Sequence, residues 1–68
     1  MIVQVNGEPT QLAEGATVSA VLERLDLERP GRGLAVAVDA EVVPRTQWER
    51  RELHEGQRVE VLHAIQGG

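Results

Sequence analysis

Leu34-Ala35-Val36-Ala37-Val38-Asp39-Ala40-Glu41-Val42-Val43-Pro44 is the stretch that decides the fold. Its first five residues alternate large with small apolar side chains, the period of two that a strand imposes. Leu34, Val36 and Val38 therefore share one face, and the two alanines make the other face flat. Asp39-Ala40 reverses the chain, residues 41–43 pair back as a short strand, and Pro44 ends it because proline has no N–H for a ladder. A strand with one bulky face needs a layer to cover that face. The covering element lies upstream, where Val18, Val21, Leu22 and Leu25 recur at i, i+3, i+4 and i+7 as one helical stripe, with Thr17 placed to cap the first turn.

The remaining elements follow from the two ends. Ile2-Val3-Gln4-Val5 is rich in β-branched residues and runs into Asn6-Gly7, the dipeptide best suited to the positive φ angles of a type I′ turn. The second strand of this hairpin is expected over residues 9–12, with Pro9 tolerable at a sheet edge. Glu14-Gly15 breaks the pattern before the helix, and residues 26–33, containing Pro30-Gly31, read as a mobile loop after it. Thr46 and Glu49 have capping-box spacing around Trp48, which predicts a single helical turn that tucks the only aromatic side chain into the core. Glu55-Gly56 makes a further turn. Residues 58–63 alternate polar with apolar, so Val59 and Val61 point inward. The order strand, strand, helix, strand, strand, short turn, strand specifies an α+β domain with a four- to five-stranded sheet and one helix across one face.

Composition narrows the function. A chain of 68 residues buries only about 60% of its unfolded surface and holds one small core. Eleven acidic residues against seven basic ones leave a net charge of −4, which opposes binding to a phosphate backbone, so no nucleic acid partner is expected. No leader and no apolar run of about 18 residues is visible, and the expectation is a cytoplasmic protein without a membrane partner. Every basic residue is Arg, so no side-chain amine is available for acylation. Cysteine is absent, which removes thiol carriage of sulfur by a side chain. His54 and His63 are too far apart in sequence for a ligand pair, and no metal site is expected. No phosphate-cradling loop or paired carboxylates are present, so the chain is expected not to be an enzyme.

What remains is the segment Ala64-Ile65-Gln66-Gly67-Gly68, read as a flexible tail on a domain spanning residues 1–63. Two glycines without Cβ atoms make a thin strand of chain that can thread a narrow cleft and present its carboxylate there. A loose end without a function is the other reading of the dipeptide. Ile65 is the expected tail contact, since a large apolar side chain gains little there unless a partner buries it. Leu62, facing outward on the last strand, forms with Ala35 and Ala37 a candidate docking patch. Glu41, Glu55 and Glu60 either steer a basic partner or are simply solvated.

Taken together, Val5-Asn6-Gly7, the strand Ala35-Val36-Ala37-Val38, Glu41-Val42-Val43-Pro44-Arg45, Trp48, Leu53, Glu55-Gly56, Val59-Glu60-Val61 and Gln66-Gly67-Gly68 carry a resemblance across essentially the whole chain. The sequence resembles the ThiS family, the sulfur carrier proteins of thiamine thiazole biosynthesis, which have a ubiquitin-like β-grasp fold. Asp39, where relatives more often have Asn, and the arginine-rich residues 28–33 depart from the pattern. The resemblance implies a last strand beside the first, launching the tail. It also implies that Gly68 is the reactive group, adenylated by a partner enzyme that uses ATP and Mg, with no cofactor bound by the carrier itself. Sulfur from a persulfide donor protein would then give a thiocarboxylate, delivered to thiazole synthase, with Ala64, Ile65, Gln66 and Gly67 engaged by partners. A small subunit of molybdopterin synthase, a ubiquitin-like modifier of lysines, and a plain β-grasp interaction module with an inert tail are the alternatives.

Overall fold

In the computed structural model, which describes residues 1–25 and 33–63, β1 (Ile2–Val5) and β2 (Glu8–Gln11) form the opening hairpin. Asn6 and Gly7 both lie in the left-handed region, at φ 50° and 85°, as a type I′ turn requires. The second strand starts one residue earlier than its composition suggests. Pro9 is nonetheless harmless. Its partner Gln4 directs its own N–H away, to the Gln57 carbonyl at 2.9 Å, so the proline nitrogen faces the open sheet edge.

The helix α1 (Val18–Arg24) is shorter than its stripe. Val18, Val21 and Leu22 are buried, whereas Leu25, expected as the fourth core contact, is the helix C-cap and 39% exposed. Thr17 occupies the N-cap position in extended conformation, but its hydroxyl makes no capping bond. Backbone carbonyls replace it. Val18 N–H donates to the Arg51 carbonyl and Ser19 N–H to the Trp48 carbonyl, each at 3.0 Å, so the segment after the sheet's outer hairpin serves as the cap.

That outer hairpin consists of β3 (Leu34–Val38) and β4 (Glu41–Val42). Val36 and Val38 are buried, Leu34 packs at the margin of the core, and Ala35 is exposed, as the alternation requires. Asp39 and Ala40 turn at φ 51° and 70°. Ala40 is strained there by about 1 kcal/mol, since its Cβ crowds the following carbonyl. Asp39 holds the turn in place: its N–H donates to the Arg58 carbonyl at 2.7 Å, its Oδ1 accepts Arg58 N–H at 2.9 Å, and its Oδ2 accepts Gln57 Nε2 at 3.1 Å.

The Arg58 N–H is the main reason the Asp39 carboxyl sits below its ordinary value of 3.8; partial desolvation opposes the shift, and Gln57 and the charges of Arg58 and Arg51 reinforce it. The sign of the consequence is fixed by linkage. A pKa lower in the folded chain means the unfolded chain protonates first, so this contribution is full above about pH 4 and disappears as acidification passes the folded value. The stability gap between wild type and Asp39→Asn is expected to narrow from pH 5 to pH 2.5. Urea midpoints across that range check it, and a constant gap would show that the carboxylate charge is irrelevant.

After Pro44, a 3-10 turn (Arg45–Gln47) leads into Trp48. Thr46 lies inside this turn and Pro44 takes the N-cap position, so the expected capping box does not form. Trp48 is buried as expected, with Nε1–H donating to the Val43 carbonyl at 2.8 Å and the Arg45 guanidinium 5.9 Å from the ring centre. Finally β5 (Arg58–His63) enters between β1 and β3, giving the strand order β2-β1-β5-β3-β4. β1 and β5 are parallel and the other pairs antiparallel. One core results, in which Val3, Val5, Val36, Val38, Val59 and Val61 of the sheet meet Val18, Val21 and Leu22 of the helix. No described helix is long and apolar enough to cross a membrane.

Candidate functional site

The site begins with the strand that leads to residues 64–68. Because β5 is central, it is tied on one side to β3 through five residue pairs, Leu34↔His63 to Val38↔Val59, and on the other to β1 through Gln4↔Arg58 and Val5↔Val59. Val59 and Val61 point into the core, so Leu62 must point out, and it is 61% exposed. The sequence-predicted residues Ala64, Ile65, Gln66, Gly67 and Gly68 lie outside the described residues, as does most of the loop over residues 26–33. The structure therefore places the last strand that carries the tail, and Leu62 on it.

Leu62 stands opposite Ala35, and Glu60 opposite Ala37, which in turn stands opposite Val42. Cross-strand partners share a face, so Leu62, Ala35, Ala37 and Val42 form one apolar area on the side of the sheet away from the helix. Val42, 73% exposed, was not foreseen as part of it. Val43 is buried, and its neighbour along an extended chain projects the other way. Exposed Glu60, opposite Ala37, stands on this face, whereas Glu41 is paired with buried Val38 and so belongs to the other face, 4.0 Å from the Arg51 guanidinium. Glu55 has a structural task instead, its Oε1 accepting Ile2 N–H at 3.0 Å at the start of β1. His54 is exposed, its own N–H bonded to Gln57 Oε1 at 2.8 Å. Among the described residues, no three His, Asp or Glu side chains come together as a metal site would need.

One contact near the end of β5 was legible only in three dimensions. Asn6 donates its N–H to the Val59 carbonyl at 2.8 Å, and its side chain reaches Val61, with Oδ1 accepting Val61 N–H at 2.8 Å and Nδ2 donating to the Val61 carbonyl at 3.3 Å. The turn that opens the domain thus also holds the strand that closes it.

The family model described as the ThiS family matches residues 3–68, nearly the full sequence. The chain belongs to the ThiS family. Its relatives agree. It is 34% identical over 68 residues to the sulfur carrier protein ThiS of Escherichia coli, with all of both chains covered. It is 39% identical to the sulfur carrier protein ThiS of Thermus thermophilus, over 98% of this chain and all of the relative. The crystal structure of the thiamine biosynthesis protein ThiS from Geobacter metallireducens superimposes with a TM-score of 0.82 at 28% identity, covering 100% of each chain. The solution structure of a thiamine biosynthesis protein from the same organism gives 0.76 at 28% identity, covering all of this chain and 88% of that one. The five-stranded mixed sheet crossed by one helix is thus the ubiquitin-like β-grasp of ThiS proteins, and the chain is a ThiS-type sulfur carrier of thiamine biosynthesis.

Proposed function

We propose that this ThiS chain carries sulfur as a thiocarboxylate on Gly68 and delivers it to the synthase that builds the thiazole ring of thiamine. The observation that carries the reading is the family match, which runs through the last two glycines of the sequence. The chemistry explains why such a carrier needs a second protein. A carboxylate repels nucleophiles, whereas an acyl-adenylate has a good leaving group. The partner enzyme joins the Gly68 carboxylate to the α-phosphorus of Mg-bound ATP with loss of pyrophosphate. A persulfide sulfur then attacks the acyl carbon and AMP departs. A thiol reductant cleaves the resulting sulfur–sulfur bond, leaving the thiocarboxylate on the carrier.

The carrier is a co-substrate in this cytoplasmic sequence and binds no cofactor of its own. Delivery is governed by docking, for which the exposed area of Leu62, Val42, Ala35 and Ala37 offers apolar contact, with Ile65 and Gln66 guiding the tail. Intact-mass measurement after incubation with the adenylating enzyme, Mg-ATP and a persulfide donor is expected to show one oxygen of the chain replaced by sulfur. An unchanged mass with an enzyme active on its own carrier would refute the proposal. A stable complex with a molybdopterin synthase large subunit, or isopeptide adducts of Gly68 on lysines, would move the chain to those functions.

A further inference from the structure

Parallel pairing of β1 with β5 stops at Val5 and Val59, because β1 ends in the Asn6-Gly7 turn while β5 continues to His63. Beyond that point, among the described residues, no strand residue pairs with Val61 on the β1 side. The Asn6 carboxamide fills the gap, since it has the same donor and acceptor as a peptide group and meets both backbone atoms of Val61. Its own position is fixed by the turn, at φ 50°, and by the bond from its N–H to the Val59 carbonyl. Three hydrogen bonds therefore tie one turn residue to Val59 and Val61 of the launching strand.

We infer that Asn6 is a positioning residue for the terminal acyl group, fixing the end of β5 and hence where residues 64–68 depart toward a partner's cleft. This rests on the sulfur-carrier reading. Without the carboxamide, Val61, Leu62 and His63 are held in the sheet by β3 alone. The base of the tail then samples more orientations, and ordering it on docking opposes association. The penalty falls on KM for the carrier. Once the tail is seated, the partner's own groups perform the chemistry and kcat is preserved.

Two variants separate this role from simple loss of stability. Asn6→Gly keeps the left-handed backbone conformation but removes both side-chain bonds, and Asn6→Asp keeps only the acceptor for Val61 N–H while facing the Val61 carbonyl with an oxygen. Gly15→Ala is the control: at φ 84°, with nothing within 4 Å of the added Cβ, it destabilises through backbone strain alone. With the full chain and its adenylating enzyme, pyrophosphate exchange is expected to show KM for the Asn6→Gly carrier raised about tenfold and kcat within about twofold, the effect of freeing roughly one residue. Asn6→Asp should fall between. Amide hydrogen exchange at residues 61–63 should quicken in the same order, with Gly15→Ala changing neither readout. Equal KM for Asn6→Gly and Gly15→Ala would overturn the inference while leaving the sulfur-carrier reading intact. Absence of exchange with the wild-type carrier would overturn both.

Discussion

Deleting Gly67 and Gly68 is expected to abolish sulfur loading while leaving the fold unchanged. Among the described residues the buried core runs from Val3 to Val61, and the two deleted glycines have no side chain to pack. Changes away from the core stay within about 0.5 kcal/mol, a shift of at most about 4 °C in Tm for a domain of this size. Loading, by contrast, depends on the position of one carboxylate relative to an activating centre, and misplacement by two residues moves it by roughly 7 Å. A displacement of even 1 Å can reduce such a reaction about a hundredfold, so the truncated chain should accumulate no thiocarboxylate. Appending one alanine after Gly68 tests the same point from the other side, since it keeps both glycines but moves the acyl carbon outward. Intact-mass analysis reads loading and circular dichroism reads the fold. Loading of either variant at the wild-type rate would mean that the terminus is not the working group; joint loss of loading and folding would mean that the tail is structural.

How far the sequence was legible depended on which interactions were local. β3 is recovered at its expected bounds because the alternation of Leu34, Val36 and Val38 with alanine leaves a single register, and β5 for the same reason through Val59 and Val61. The Asn6-Gly7 turn was equally clear, since positive φ at two adjacent positions has few solutions. The misreadings share a cause: long-range backbone groups replaced local side-chain ones. Thr17 and Thr46 stand where capping patterns would use them, yet the helix is capped by carbonyls of Trp48 and Arg51, and Pro44 opens the 3-10 turn. Leu25 fits the helical stripe but falls at the C-cap, where the chain leaves the helix. Asn6 was read correctly as a turn residue and incompletely as a clamp, because its partner Val61 lies 55 residues away. The apolar outer face was visible in part through Ala35, Ala37 and Leu62. Val42 joined it only when β4 was paired to β3.

Trp48→Ala is expected to leave the chain largely unfolded at 25 °C. At about 0.05–0.15 kcal/mol per residue, a domain of 68 residues has roughly 3–10 kcal/mol of stability in total. Replacing a buried Trp by Ala removes about 3–5 kcal/mol through lost burial and the cavity left behind. The loss extends beyond the ring. Nε1–H satisfies the Val43 carbonyl at 2.8 Å, and leaving that acceptor unpaired costs about 1–3 kcal/mol more. The Trp48 carbonyl also accepts Ser19 N–H, so a ring that no longer fixes the turn lets the cap of α1 drift as well. Trp48→Phe separates these contributions, because it retains most of the apolar contact and loses only the hydrogen bond and some volume. It should fold with a lower urea midpoint. Far-UV circular dichroism with urea titration checks both variants, and in the wild type the fluorescence of this single aromatic residue follows the core directly. A cooperative Trp48→Ala transition at the wild-type midpoint would mean that the sheet and helix hold together without the indole, and that the turn over residues 44–51 is only an accessory to the core.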